Sequence, residues 1–427
     1  MFRLENAQSL VGIALTLAVC WLLSENRKRF PWRLAIGSLA VQVGLILLLF
    51  GLEPAQAVVK GISSVIDSLS LATESGTQFV FGYLGGGPQP YVQEPNANLF
   101  VFAFKVLPLI LVISALSALL WHWGVLKLII RGFGFLFEKT MGMGGASATA
   151  TAANIFVGMV ETPIIIRAYL DKLTRSELFL MMVVGLATVA GSTMVAYALM
   201  LKAVLPNAGA HVLVASVVSA PAGVLLARLI VPEKPGEGGV NVDYTSLLKY
   251  ESSIDAISKG TSDGLMVVLN ISAILIVFVA LVAIGNSLLG LAPEVWGAPL
   301  TIERILGMIF APLAWSLGID WSEAGKAGYL LGVKLMLTEF IAFIQLGQVP
   351  AEEMSERTRM IMTYALCGFA NIGSVGITVS GMGILMPERR NEIIGMVWKA
   401  LVAGFLATCM TAAVVGAMPR ELFGIAG

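Results

Sequence analysis

Apolar runs of bilayer length follow one another along this chain, near residues 8–24, 32–51, 99–125, 175–204, 209–231, 264–291, 357–385 and 393–417. A helix needs about 20 predominantly apolar residues to cross the hydrocarbon core. Charged residues make up only 13% of the 427 positions, against about 25% in a typical soluble domain. The runs are continuous rather than alternating, which excludes a transmembrane β-barrel. The pattern predicts an all-α polytopic membrane protein with eight transmembrane helices. Soluble enzymes, nucleic-acid binders and disordered chains are excluded with the barrel.

Basic and acidic residues balance at 27 each, so no global field selects a polyanionic partner. Cys20, Cys367 and Cys409 lie inside apolar runs with neither metal nor disulfide spacing. His122 and His211 are too few to build a histidine metal site. The run at 8–24 is followed, not preceded, by Arg27, Lys28 and Arg29. That order marks a retained first span rather than a cleaved leader. Basic residues also gather at Lys127, Arg131 and Lys139, at Arg167, Lys172 and Arg175, and at Arg389 and Arg390. With these loops cytoplasmic, one topology satisfies them all and both termini lie outside.

Three stretches depart from the simple span. Residues 54–69 alternate apolar and polar groups at helical spacing, as an interfacial amphipathic helix does. Residues 141–170 and 322–347 are apolar but interrupted by Gly, Pro, Ser, Thr and charged groups. Each reads as a re-entrant hairpin, a backbone tolerated at membrane depth only where protein or a cavity surrounds it. The glycine run Gly85-Gly86-Gly87 precedes Pro88 and lacks the Lys-Ser/Thr of a phosphate loop, and Pro235-Gly236-Glu237-Gly238-Gly239 reads as a loop.

The hairpins belong to an internal repeat. Gly158-Met159-Val160-Glu161-Thr162-Pro163 precedes a span carrying Ala187-Thr188-Val189-Ala190-Gly191-Ser192-Thr193. In the second half, Leu337-Thr338-Glu339-Phe340 precedes Gly368-Phe369-Ala370-Asn371-Ile372-Gly373-Ser374. Glu161 lies 29 positions before Ala190, and Glu339 lies 31 before Ala370. Each half is thus a hairpin with a carboxylate, a span interrupted by small residues, and a plain closing span. Opposite entry sides make the repeat inverted, and paired interruptions of this kind point to a secondary transporter's binding site. The domain division that follows has scaffold spans one to three with the interfacial helix at 1–138 and a first transport repeat at 139–231. An interfacial helix and span six occupy 232–300, and the second transport repeat with its interfacial helix occupies 301–427.

Glu161 and Glu339 are the leading site candidates, because a carboxylate at the bilayer centre costs about 2.5–3.5 kcal/mol even on gentle scales. The competing role is a structural ion pair, with Lys334 or Lys326 for Glu339. Asn154, Thr188 and Asn371 form a second group. Broken helices present side-chain amides, hydroxyls and freed carbonyls together, which suits a hard cation; interhelical hydrogen bonding is the competing role. The small-residue run from Gly142 to Ala153 needs only close helix packing. His122, between Trp121 and Trp123, belongs to an aromatic belt.

The stretch Gly332-Val333-Lys334-Leu335-Met336-Leu337-Thr338-Glu339-Phe340-Ile341-Ala342-Phe343 resembles the signature of the concentrative nucleoside transporters. Asn154 to Pro163, Thr188 to Thr193, Cys367 to Ser374 and Gly76-Thr77-Gln78-Phe79-Val80-Phe81-Gly82 resemble that family's other motifs. The resemblance implies a homotrimer of the bacterial inner membrane, in which transport domains move like elevators and import nucleosides down a sodium gradient. It assigns substrate contacts to Met159, Val160, Glu161 and Thr193 in the first half, and to Glu339, Phe369, Asn371 and Ser374 in the second. It assigns sodium to the side chains of Asn154 and Thr188 with the carbonyls of Val157 and Val189. Met159 and Val160 stand where the family usually has Gln and Thr, which makes the base-reading side more apolar here. Thr193 replaces a familiar Val, and Thr338 replaces the signature Asn. A proton carried by Glu161 or Glu339 is the alternative coupling ion. The competing functional classes are a same-fold carrier for another small polar solute, a membrane-embedded enzyme and a channel. No nucleophile, metal cluster or cofactor motif accompanies the acids, and the polar residues lie within each protomer's repeat rather than on a shared pore axis.

Overall fold

The computed structural model describes residues 4–28, 30–92, 101–234, 249–295 and 297–424. The Pro235–Gly239 loop and the first two residues of the third apolar run lie outside them. Among the described residues, Trp32–Gly51, Phe102–His122, Arg175–Leu201, Ala208–Ile230, Ser253–Leu289 and Pro387–Ala417 are each long and apolar enough to cross a membrane. Asn6–Leu22 and Ile372–Leu385 are apolar but shorter. With Glu356–Leu366 leading into Ile372–Leu385, these helices account for all eight expected spans. The fold is all-α, as the continuous runs require.

Both hairpins form. The first is Gly145–Phe156 and Glu161–Ile165; the second is Trp321–Met336 and Glu339–Gln348. Each is preceded by an amphipathic helix, Val125–Met141 in the first half and Ile302–Ser316 in the second. The second of these meets its hairpin at a 116° corner. Val125–Met141 is not apparent from a search for apolar runs, because its apolar residues occupy one face and Lys127, Arg131, Glu138 and Lys139 the rest. Two boundaries also run beyond expectation. The interfacial helix continues to Phe81 and stops only at Gly82, whose φ is +58°. Span six begins at Ser253, capped by the Ser252 hydroxyl on the Asp255 N–H. Its first turns carry Asp255 and Lys259, paired at 2.9 Å, so hydropathy alone does not count them.

The charged contacts fall on two opposite rims. On one, Arg175 and Lys399 meet Glu25 at 3.0 and 3.4 Å, and Arg389 donates to the carbonyls of Leu170 and Leu173. Burial works against ionising Glu25, but the Arg175 and Lys399 cations hold its carboxyl below the ordinary range. On the other rim Asn6 donates to the Gly416 and Met418 carbonyls, which brings both ends of the described chain together. The base of the first hairpin lies at the first rim and that of the second at the other, so the repeat is inverted. Buried Arg359 there takes the carbonyls of Leu346, Pro350 and Met354. A cation at a helix C-terminus satisfies groups that have no partner within the helix.

Spans three and six pack against each other through Gly260 and Gly264, which sit against Ser114, Ala115 and Leu111. Small residues at this spacing let two membrane helices approach closely. Span one runs along the closing span Arg390–Ala417, and span two along Ala208–Ile230, where Ser38 donates to the Pro221 carbonyl. The family-like Gly76–Gly82 segment is tied to the glycine turn after it, through Thr77 to Gly85 and Gln78 to Gly86.

At the centre the two broken spans cross. The first leaves helix at Thr188–Ala190 and the second at Cys367–Asn371. The Phe369 N–H donates to the Thr188 carbonyl at 3.3 Å, so each break supplies a partner for the other. A Cβ on Gly368 would lie 2.6 Å from the Thr408 methyl and 3.0 Å from the Ala187 carbonyl oxygen. Only glycine fits there. Overpacking of this kind costs about 1–3 kcal/mol. Gly368→Ala is therefore expected to lower the melting temperature of the detergent-purified protein. Gly376→Ala, beside open space, is expected to leave it unchanged.

Candidate functional site

The second half of the site is a bonded cluster. Thr338 caps the second arm of its hairpin, its hydroxyl accepting from the Phe340 N–H at 3.3 Å, so the Thr that replaces the signature Asn still serves as a cap. That places Glu339 at the first helical position, where the helix dipole favours a carboxylate. Glu339 is buried, and its Oε2 accepts from Asn371 Nδ2 at 2.9 Å while Oε1 accepts from the Tyr197 hydroxyl at 3.0 Å. Asn371 in turn caps Ile372–Leu385, its Oδ1 accepting from the Ser374 N–H at 2.8 Å and hydroxyl at 3.1 Å. One amide thus restarts the broken helix and holds the acid. An ionised carboxylate offers about four lone-pair sites, and the two bonds leave acceptor capacity for a ligand hydroxyl.

The ion-pair role for Glu339 fails on geometry. Lys326 pairs with Glu353 at the rim from which the second hairpin enters. Lys334, fully buried, donates to the Ala365 carbonyl at 2.7 Å and the Thr408 hydroxyl at 2.6 Å. Among the described residues no cation bridges to Glu339.

The first half is built differently. Its tip turns at Gly158, whose φ of +103° excludes most side chains and whose Cβ would meet that of Ala190 at 3.0 Å. The tip therefore sits directly on the first break. Asn154, buried on the first arm, donates weakly to the Met181 carbonyl at 3.5 Å, and its Oδ1 has no hydrogen-bond partner among the described residues. Leaving such an oxygen unpaired costs about 1–3 kcal/mol. The Thr188 hydroxyl lies 2.8 Å from the Val184 carbonyl and 3.2 Å from the Asn154 carbonyl. Buried Val189 shares its N–H and carbonyl with the Ser216 hydroxyl at 3.3 and 3.4 Å, while Val157 is half-buried at the end of the first arm. These are hard oxygens and one is orphaned, a donor set that fits an alkali cation.

Glu161 stands apart from its counterpart. It is exposed, and one of its carboxylate oxygens lies against the tip at Gly158. Its short helix packs on Ile372–Leu385, which brings the first tip to the second broken span. Met159 packs over Gly185, and Val160 is exposed. Thr193 is buried with its hydroxyl on the Ala190 carbonyl at 2.8 Å, and Phe369 is half-buried. The structure gathers Glu339, Asn371 and Ser374 into one cluster and Asn154, Thr188 and Val189 into another; Glu161 joins neither by hydrogen bonds.

Tyr197 is the residue that sequence reading misses. It is fully buried, stacked on Phe343 at 4.3 Å, and lies 142 positions from the acid it binds. The available signal is its place one turn after Thr193. A hydrogen bond to a charged group contributes about 1.5–3 kcal/mol. Tyr197→Phe is expected to lower the melting temperature by that loss, while Tyr329→Phe, whose partner is the half-buried Gln345, shifts it less. Equal shifts would mean that Glu339 does not depend on Tyr197.

Three family models match successive parts of the chain: the Na+ dependent nucleoside transporter N-terminus at residues 11–84, a nucleoside recognition gate at 103–204, and the Na+ dependent nucleoside transporter C-terminus at 211–416. The nucleoside permease NupC of Helicobacter pylori is 35% identical, over 96% of each chain. An uncharacterized transporter of Haemophilus influenzae is also 35% identical over 96% of each chain. Among solved structures, CNTnw in an inward-facing substrate-bound state is 37% identical with a TM-score of 0.86, covering 97% of this chain and 99% of that one. Identity at this level, over nearly the whole length of several transporters and with the broken-span site in place, makes the chain a multi-pass transporter rather than an enzyme, and it belongs to the Na+-dependent, concentrative nucleoside transporter family.

Proposed function

We infer that this protein is a secondary active symporter that imports nucleosides across the bacterial inner membrane, driven by sodium. The observation that carries the reading is the buried Glu339 carboxylate, held by Asn371 and Tyr197, with no cation bridging to it among the described residues. A carboxylate and an amide presented together suit a vicinal diol, since charge-assisted hydrogen bonds are the stronger ones. In this reading Glu339, Asn371 and Ser374 grip the ribose with Phe369 beside it. Met159, Val160, Glu161 and Thr193 form the side that meets the base.

Sodium is assigned to Asn154, Thr188 and the carbonyls of Val157 and Val189. The orphaned Asn154 Oδ1 supports this. Because the first tip sits on the first break, ion occupancy there would fix the hairpin against the crossing and so prepare the second half for substrate. A proton on Glu161 or Glu339 is the alternative, and has no orphaned group in its favour.

The reading includes a homotrimer and an elevator motion. Spans three and six with the interfacial helix form the stationary part, and span six supports this by exposing Leu269, Ile276, Val279, Leu281 and Leu288 along its length. The two repeats travel together. Spans one and two pack on the closing spans, so we assign them to the travelling part, in place of the 1–138 division that counted them as scaffold. A second reading, a carrier for a modified nucleoside, is favoured by the apolar Met159 and Val160 on the base side.

Uptake into proteoliposomes tests the assignment. Ribonucleosides are expected to compete with one another for sodium-driven accumulation; failure of every ribonucleoside to compete would refute the substrate class. Replacing sodium with choline at fixed pH is expected to abolish accumulation, and undiminished transport would sink sodium coupling in favour of the proton. Glu339→Gln and Asn371→Ala are each expected to lose accumulation by more than tenfold, as follows from about 1.5–3 kcal/mol per charged hydrogen bond. Asn154→Ala is expected to raise the sodium concentration needed for half-maximal uptake.

A further inference from the structure

The two halves of the repeat differ in one respect that their common plan does not explain. In the first half, the arm Gly145–Phe156 brings an unpaired oxygen, Asn154 Oδ1, to the C-terminal end of Arg175–Ala187. In the second, the arm Trp321–Met336 brings an ammonium, Lys334 Nζ, to the C-terminal end of Glu356–Leu366. The two groups occupy corresponding places. Gly185 lies five positions before Ala190, and Ala365 lies five before Ala370. A Cβ on Gly185 would sit 3.5 Å from Asn154 Oδ1, and the Ala365 carbonyl accepts from Lys334 at 2.7 Å. Each closing span adds a hydroxyl nearby, Ser216 at Val189 and Thr408 on Lys334 at 2.6 Å.

A helix that ends inside the membrane leaves its last carbonyls without partners and carries partial negative charge. Each first half-helix of a broken span therefore calls for a cation at its end. Lys334 supplies one by covalent attachment. It is fully buried, and no acid bridges to it among the described residues, although the Glu339 carboxylate lies within electrostatic range. The Phe405 ring stands 5.5 Å from its Nζ, a geometry favourable to a cation. An ammonium in such a place is held by oxygens and a π face, the same kinds of group that hold a bound alkali ion.

We propose that Lys334 is a tethered cation that fills, in the second repeat, the place that the coupling sodium takes in the first. It acts as a positioning residue. By neutralising the end of Glu356–Leu366 it fixes the break from which Asn371 reaches Glu339, and it leaves the carrier needing one free cation at its breaks instead of two. The proposal rests on the assignment of sodium to Asn154 and Thr188 above.

The test is a sodium titration of the full-length protein in detergent and in liposomes, with choline chloride holding ionic strength constant. Adenosine and uridine serve as probes, and thermal stabilisation and uptake are the readouts. Lys334→Gln is expected to need several-fold more sodium than the wild type before either nucleoside stabilises it, with a steeper curve, because a second ion is recruited to the vacated place. Lys334→Arg is expected to keep the wild-type curve, as is Lys326→Gln on the rim. A purely structural role would lower the melting temperature of Lys334→Gln at every sodium concentration without moving the curve, and that result would overturn the proposal. Should Lys334→Gln not fold, Thr408→Val decides, since it removes a ligand and leaves the charge. It is expected to weaken nucleoside binding several-fold at an unchanged sodium curve, and a curve displaced as far as that of Asn154→Ala would overturn the idea. Failure of the underlying functional reading shows elsewhere, as a wild type that neither nucleoside stabilises in sodium.

Discussion

A helix interrupted inside a bilayer leaves amide and carbonyl groups that water cannot reach, and this molecule is arranged around giving them partners. The two breaks meet, and Phe369 donates to Thr188 where they cross. Gly368 permits the approach, since any Cβ would strike Ala187 and Thr408. The hairpins enter from opposite rims because each must reach one break. The closing spans lie behind the crossing because the broken backbone needs protein on every side.

Partners for the broken ends come from the residues of the candidate site. Asn371 caps a helix and holds Glu339 with the same side chain. Thr338 caps the arm that carries Glu339, and Lys334 completes the end of the helix before the second break. Structure and the proposed recognition are therefore coupled at the second break. In the first half the coupling is looser: among the described residues Asn154 keeps an oxygen without a partner, and Glu161 stays exposed. A repeat with one half satisfied and one half open is suited to a carrier whose remaining partners arrive from solution.

How much was legible in the sequence follows from the range of each interaction. The eight spans, the hairpins and the inverted repeat rest on hydropathy and on signals within a few turns, and all of them formed. Val125–Met141 escaped because its apolar face is diluted by charge, and the start of span six escaped because its first turns are polar. Glu161 and Glu339 look equivalent in sequence, yet one is exposed and the other buried, since exposure depends on what packs over each tip. Lys334 lies five positions from Glu339 and reads as its ion-pair partner, but it reaches across to Ala365 and Thr408 instead. Tyr197 is marked only by its place one turn after Thr193, and nothing local ties it to Glu339.

Hydropathy along the chain sets the eight apolar runs, the two interruptions and the residues available at them. Those properties follow from transfer free energy along a single segment, which is local in the chain. Which polar group satisfies which is settled by how the helices pack. Asn371 and Tyr197 reach Glu339 from 32 and 142 positions away, and Lys334 reaches Thr408 across 74. In a medium without water every such group needs a partner, and the partner is whichever group the packed helices bring near, at a distance along the chain that no local pattern encodes.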